Sequence, residues 1–216
     1  MSVKDRTAYP ETGWGMPFAL FFDSTVMVNN VAQNGRSTKS FIEEHRWQYV
    51  MENVHAGDYV LIQFGHNDEI KEKVGRYTTP GEFSNNLSRF IKDVSGKSAV
   101  PVLITPVARR KFDSSGNIID THLQYAQLVK EVAANEGVAL IDLNKKSMEL
   151  LQQVGAENSK FFFNYLQPGE HPNYPNGIKD DTHFDELGAR KMAQIVLQEI
   201  KTLKLPLADR IVTGSK

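Results

Sequence analysis

The sequence predicts an α/β domain of three layers, helices covering a parallel sheet, and three observations carry that expectation. Short runs of continuous apolar character recur at VMVNNVA (26–32), DYVLIQFG (58–65), AVPVLITPV (99–107) and VALIDL (138–143). Runs apolar on both faces suit strands that are covered on both sides. Segments with helical spacing lie between them, and strands alternating with helices imply parallel crossover units. The 216 residues, 40% hydrophobic, are enough for one domain over 1–216 with a sizeable core.

Taken in order, Thr12 is placed to cap a helix through 14–22, where Trp14, Phe18, Phe21 and Phe22 share one stripe. Asp23-Ser24-Thr25 then reads as a turn into the 26–32 run. RWQYVMENV (46–54) has apolar residues at helical spacing. Pro80 opens a further helix, with Phe83, Leu87, Phe90, Ile91 and Val94 on one face. A fourth runs from Thr121 to Glu136 and is closed by Gly137. The last runs from about Asp185 to Leu203, with Leu187, Met192, Ile195, Val196, Ile200 and Leu203 as its buried stripe.

Composition excludes several classes. Net charge is −1 and no Lys/Arg block occurs, which argues against a nucleic-acid or anionic-membrane partner. With no cysteine there are no disulfides and no thiolate metal sites. No apolar run approaches the roughly 18 residues that span a bilayer. The first residues, MSVKDRTAYPETG, are polar and lack the apolar stretch of a signal peptide.

Active sites of open parallel sheets lie beyond the C-terminal strand ends. Three segments fall there. QNGRSTKS (33–40) follows the first run, and Gly35 permits a tight turn with close ligand approach. QFGHND (63–68) follows the second. In it Asn67 can aim an amide donor at developing negative charge, Gly65 makes room for the turn, and Asp68 can bond neighbouring N–H groups. KDDTHFDELGA (179–189) leads into the last helix. Asp180 and His183, three residues apart on a turn, can bond so that one imidazole nitrogen is left free as general base. Each has a structural reading as well: a strand-to-helix turn, an Asx-rich loop, and helix-start chemistry with Asp185 as the cap. His45, His55, His122 and His171 read as surface or structural. Phe161, Phe162, Phe163 and Tyr165 read as packing, with sugar stacking by Tyr165 or Tyr174 a minor alternative. Arg109 and Arg110 follow a strand, where substrate could be contacted.

GWG, NGRSTKSFI, FGHND and DDTHF, in this order and spacing, resemble the rhamnogalacturonan acetylesterase branch of the SGNH hydrolases, from about Thr7 to Leu207. The resemblance implies a flavodoxin-like α/β/α sandwich and a serine esterase that needs no metal or other cofactor. It also implies an acetylated polysaccharide or oligosaccharide as partner, and makes secretion or a periplasmic location plausible, although this chain carries no address for either. Gly35 matches the family glycine, Asn67 its asparagine, and Asp180 and His183 its Asp-x-x-His.

The family's fourth marker is a serine in a Gly-Asp-Ser block at the end of the first strand. Ser24 is a poor match. Only ten residues separate it from Gly35, too few for a parallel crossover with a helix, and Phe22 stands where the family has glycine. Ser2 has no strand before it. The resemblance itself, through the family's spacing, implies a block just before the segment that resembles MSVKDRTAYPETGWG, at or immediately before Met1, which would leave this chain without its first strand and nucleophile, and inactive. The strand edges so exposed would leave backbone groups worth about 1–3 kcal/mol each if buried unpaired, and the chain is expected to aggregate more readily than an extended version. Two rival readings remain. One is a metal-dependent phosphoesterase using His66, Asp68, Asp181 and His183. The other is a carbohydrate-binding pseudoenzyme.

Overall fold

The computed structural model describes residues 2–4 and 6–212. The chain forms two compact units, one of residues 35–107 and 122–144, the other of 1–34, 108–121 and 145–216.

The first unit holds the parallel sheet. Its elements are α1 (Thr38–Glu43), α2 (Arg46–Asn53), β1 (Tyr59–Gln63), α3 (Pro80–Gly96), β2 (Val100–Ile104), α4 (Leu123–Glu136) and β3 (Ala139–Ile141). The strand order is β1-β2-β3, all parallel, with Leu61 opposite Val102 and Leu103 opposite Leu140. A helix connects each strand to the next, as parallel pairing requires. Thr79 and Glu82 form a reciprocal cap at the start of α3, with Pro80 in its first turn. Gly137 ends α4 in a left-handed conformation. Phe83, Leu87, Phe90, Val94, Val102, Leu103, Ile104 and Ile141 are essentially inaccessible. Such a side chain stabilises by about 1.5–3 kcal/mol when fully buried. Trp47 stacks on Phe90 with ring centroids 3.9 Å apart, and its indole N–H donates to Asp93 at 2.8 Å.

The second unit contains most of α5 (Leu143–Asn158), then β4 (Phe163–Leu166), β5 (Ile178–Phe184) and α6 (Glu186–Thr202). β4 and β5 pair antiparallel, with an irregularity between Phe163 and Tyr165. Asp185 caps α6 by accepting the Gly188 N–H at 2.8 Å. Gly188 is there for space: a Cβ would stand 1.9 Å from the Phe162 carbonyl oxygen. Trp14, Phe18 and Phe22 pack edge to face, with centroids 5.4 and 5.1 Å apart.

Four local expectations fail. The 26–32 run forms no strand, and its neighbour Gln33 makes only an isolated bridge to Val3. Apolar character alone does not make a strand, because the backbone groups need a ladder partner. The 14–22 helix is instead a set of turns ending in a four-residue 3-10 helix, Phe18–Phe21. Leu187 and Leu203 lie outside the buried stripe of α6, 47% and 38% exposed. The fourth helix begins at Leu123 rather than Thr121, with His122 at its cap position. The helices α1 and α5 and the β4–β5 pair have no counterpart among the expected elements.

Candidate active site

β5 carries the first group of candidate residues. The Asp180 carboxylate accepts the Thr182 N–H at 2.7 Å and the His183 N–H at 3.0 Å through Oδ1, while Oδ2 meets His183 Nδ1 at 2.7 Å. Asp180 thus holds both the local backbone and the ring. The pair sits within a strand rather than on a free turn, in the irregular stretch of the β4–β5 ladder between the Tyr165–Lys179 and Phe163–Phe184 pairs. Burial pushes the Asp180 carboxyl up, but bonds from His183 and the two backbone N–H groups outweigh it and leave the group below its usual value. With Nδ1 committed, His183 presents Nε2, and its side chain is 39% exposed. Glu11 Oε1 lies 3.7 Å from that nitrogen and is itself paired with Lys4.

The loop following β1 carries the second group. Gly65 adopts φ +130°, and a Cβ there would meet Pro106 at 2.5 Å. Asp68 is fully buried and accepts four hydrogen bonds: Thr38 N–H at 2.9 Å, Thr38 hydroxyl at 2.6 Å, Thr78 hydroxyl at 3.0 Å and Gly65 N–H at 3.2 Å. Burial raises its carboxyl to about 6, against the lowering pull of those bonds. Asp68 therefore ties this loop to the first turn of α1, where Ser37 and Ser40 form a capping box. Asn67 donates through Nδ2 to the Arg36 carbonyl at 3.2 Å, while Arg76 Nη1 approaches its Oδ1 at 3.5 Å. Gly35, one residue before Arg36, has φ +75°, and the Arg76 guanidinium would lie 3.3 Å from a Cβ placed on it. Gly35, Gly65, Asn67 and Asp68 are thus gathered in one cluster.

Residues 4–191 match the GDSL-like lipase/acylhydrolase family. The chain belongs to this family. It is 44% identical over 204 residues to the rhamnogalacturonan acetylesterase RhgT of Bacillus subtilis (strain 168), covering 94% of this chain and 87% of that protein. It is 37% identical over 201 residues to the probable rhamnogalacturonan acetylesterase YesY of the same organism, covering 93% and 88%. The crystal structure of protein YxiM from Bacillus subtilis superposes with a TM-score of 0.80 at 23% identity, covering 95% of this chain and 54% of that one. The α/β fold with a parallel sheet is therefore the fold of its SGNH neighbours.

GDSL-family chemistry needs a serine, and Ser24 follows an aspartate as the family's serine does. It lies exposed in a turn in which Asp23 accepts the Thr25 N–H and hydroxyl at 2.8 and 2.5 Å. Among the described residues, the hydrogen-bond and ion-pair partners of His183 are Asp180 and Glu11, and no serine hydroxyl is among them. The position expected for the block, at Met1 or before it, lies outside the described residues.

Among the described residues no three His, Asp or Glu side chains are arranged to hold a metal ion. Asp68 is occupied by its four donors, and His66 Nε2 lies 2.9 Å from the Val107 carbonyl. Asp181 accepts from Arg110 at 2.5 Å and Tyr165 at 2.6 Å. Arg110 also bonds Ser159 at 3.2 Å and the Ala156 carbonyl, so its guanidinium is engaged within the protein. Burial and the bond to Asp181 raise the Tyr165 hydroxyl to about 12, so it remains a donor in this knot. The Tyr174 hydroxyl donates to the Ala8 carbonyl at 2.8 Å.

Two residues escaped sequence reasoning, and a third, His122, takes the structural one of its two readings. Glu11 and Arg76 sit in charged, loop-like stretches that carry no local signal of their later neighbours. His122 proves to be buried, with Nδ1 3.0 Å from Glu69 and its ring 4.3 Å from that of His66. It is thereby part of the support behind the GHND loop.

Proposed function

We propose that this protein is an SGNH-type serine acetylesterase that removes acetyl groups from a pectic polysaccharide of the rhamnogalacturonan class. The observation that carries the reading is the Asp180–His183 pair, bonded at 2.7 Å through Nδ1 so that Nε2 is left for the proton, in a member of an acylhydrolase family. In this reading His183 Nε2 takes the proton of a serine hydroxyl as that oxygen bonds to the acetyl carbon. Asp180 holds the tautomer and stabilises the imidazolium. The oxyanion donors are assigned by the family match alone: the serine N–H, the Gly35 N–H and the Asn67 amide. The imidazolium returns its proton to the departing sugar oxygen, leaving an acetyl-serine. Water, deprotonated by His183, then bonds to the acetyl carbon, the serine oxygen leaves and takes the proton back from the imidazolium, and acetate is released. The nucleophile is a serine other than Ser24.

The test is acetate release from acetylated rhamnogalacturonan by the full natural protein, with the fluorophosphonate adduct mapped by mass spectrometry. Expected are acetate release insensitive to chelators, an adduct away from Ser24, and loss of both in His183→Ala. An adduct on Ser24 would overturn the assignment of the nucleophile. Saccharide binding without acetate release would establish a pseudoenzyme instead.

A further inference from the structure

Arg76 stands against both candidate oxyanion donors. Its Nη1 lies 3.5 Å from Asn67 Oδ1, and its guanidinium occupies the space over Gly35 into which a side chain would project. Gly35 is thus glycine for two reasons, its positive φ and the room it leaves for this cation. Arg76 is partly buried, and among the described residues it has no carboxylate partner. The other cations nearby are accounted for differently: Arg36 is paired with Glu44 at 2.9 Å, and Lys39 Nζ donates to the Val74 carbonyl at 3.2 Å.

A guanidinium carries five N–H donors in a planar fork and cannot lose its charge. One long contact to an amide oxygen leaves most of that fork unused. Removing such a group partly from water without an anion is unfavourable, so the arrangement is suited to an anion that arrives with the ligand. Position decides which anion. The contact is to the carbonyl edge of the Asn67 amide, not to its Nδ2 edge, so the cation flanks the donor pocket rather than filling it. A planar carboxylate on the same sugar as the ester, or on its neighbour, would meet the fork with two parallel hydrogen bonds.

We propose that Arg76 is a specificity-determining residue that receives the carboxylate of a uronic acid in the substrate, beside Gly35 and Asn67. The inference rests on the acetylesterase reading for the position of the ester, and names the charge that this site reads.

The test is calorimetric binding of a rhamnogalacturonan oligosaccharide with free carboxylates, and of its methyl-esterified form, to the full natural protein and to Arg76→Gln and Arg76→Lys. The free acid should bind about tenfold or more tightly than the methyl ester. Arg76→Gln should erase that difference, and Arg76→Lys should keep part of it, with unchanged melting temperatures. Equal binding of the two forms by the unmodified protein, no binding of either, or an equal loss for both in Arg76→Gln would overturn the proposal. If Arg76→Gln does not fold, the acid-to-ester comparison in the unmodified protein and Arg76→Lys still decides. Acetate release measured in parallel separates the two readings. Release without acid preference sinks the role of Arg76 alone, and Arg76-dependent acid preference without release sinks the esterase.

Discussion

Replacing Asp68 by asparagine tests what holds the GHND loop, and the magnitude follows from two opposing effects. The substitution keeps one acceptor oxygen, which can serve the Thr38 and Thr78 donors. It turns the second oxygen into an N–H₂ group facing the Gly65 N–H, now at 3.2 Å. Gly65 is buried, so its amide is left unpaired at a cost of about 1–3 kcal/mol. Against this, asparagine removes a buried charge. A carboxyl raised from 3.8 to about 6 carries a folding penalty of about 3 kcal/mol once fully ionised in both states.

The sign follows from proton counting. Between 3.8 and about 6 the folded state holds the Asp68 proton more often than the unfolded chain, so this group's contribution falls as pH rises through that window. The variant lacks the effect. Asp68→Asn should therefore destabilise by about 1–3 kcal/mol near pH 4, with the deficit shrinking by about 1 kcal/mol between pH 5 and pH 8. Urea unfolding of both proteins across that range measures it. A deficit that is constant, or that grows with pH, would mean that the four donors hold the carboxylate charged and that burial is not the dominant effect.

Asn67→Ala in the full natural protein should lower turnover about 100- to 1,000-fold, the usual loss for one oxyanion donor; an unchanged rate for acetate release removes Asn67 from the mechanism. Asp180→Asn should lower turnover by up to about 10⁴-fold, because the amide can stabilise the wrong imidazole tautomer, while saccharide affinity measured by calorimetry stays the same. Gly188→Ala should lower the unfolding free energy by about 1–3 kcal/mol or more, seen as a lower urea midpoint, since its Cβ would meet a backbone carbonyl at 1.9 Å. A midpoint equal to that of the unmodified protein would show that the start of α6 can move off Phe162 freely.

The parts of the fold legible in the sequence were those whose signals are local. Pro80 opening α3, Gly137 after α4 and Asp185 before α6 are start and stop signals that act within a few residues, and each appears where the sequence puts it. The runs at 58–65, 99–107 and 138–143 became strands because each finds a ladder partner. The run at 26–32 has a similar composition and no ladder, so the difference lies outside the run itself. The Asp180–His183 bond was legible for the same reason of short range. Arg76 over Gly35 and Glu11 beside His183 were not, because each joins residues far apart in sequence through side chains that mark no periodicity.

Asp68 and Asp180 show how burial sorts one residue type into two roles. Both accept bonds from backbone N–H groups and from side chains, yet burial carries Asp68 up to about 6 and hydrogen bonding carries Asp180 below its usual value. Asp68 is sealed on every side, and its donors are neutral amides and hydroxyls, which cannot fully replace water around a charge. Asp180 keeps 20% of its side chain exposed and has an imidazole as partner. An aspartate that must stabilise an imidazolium needs to remain charged while the ring cycles, and the Asp180 environment provides that. One that must only fix a loop gains from being dry and fully bonded, since each of its four contacts then has no competing water. Exchanging the two environments would leave the dyad without its counter-charge and the loop without its anchor.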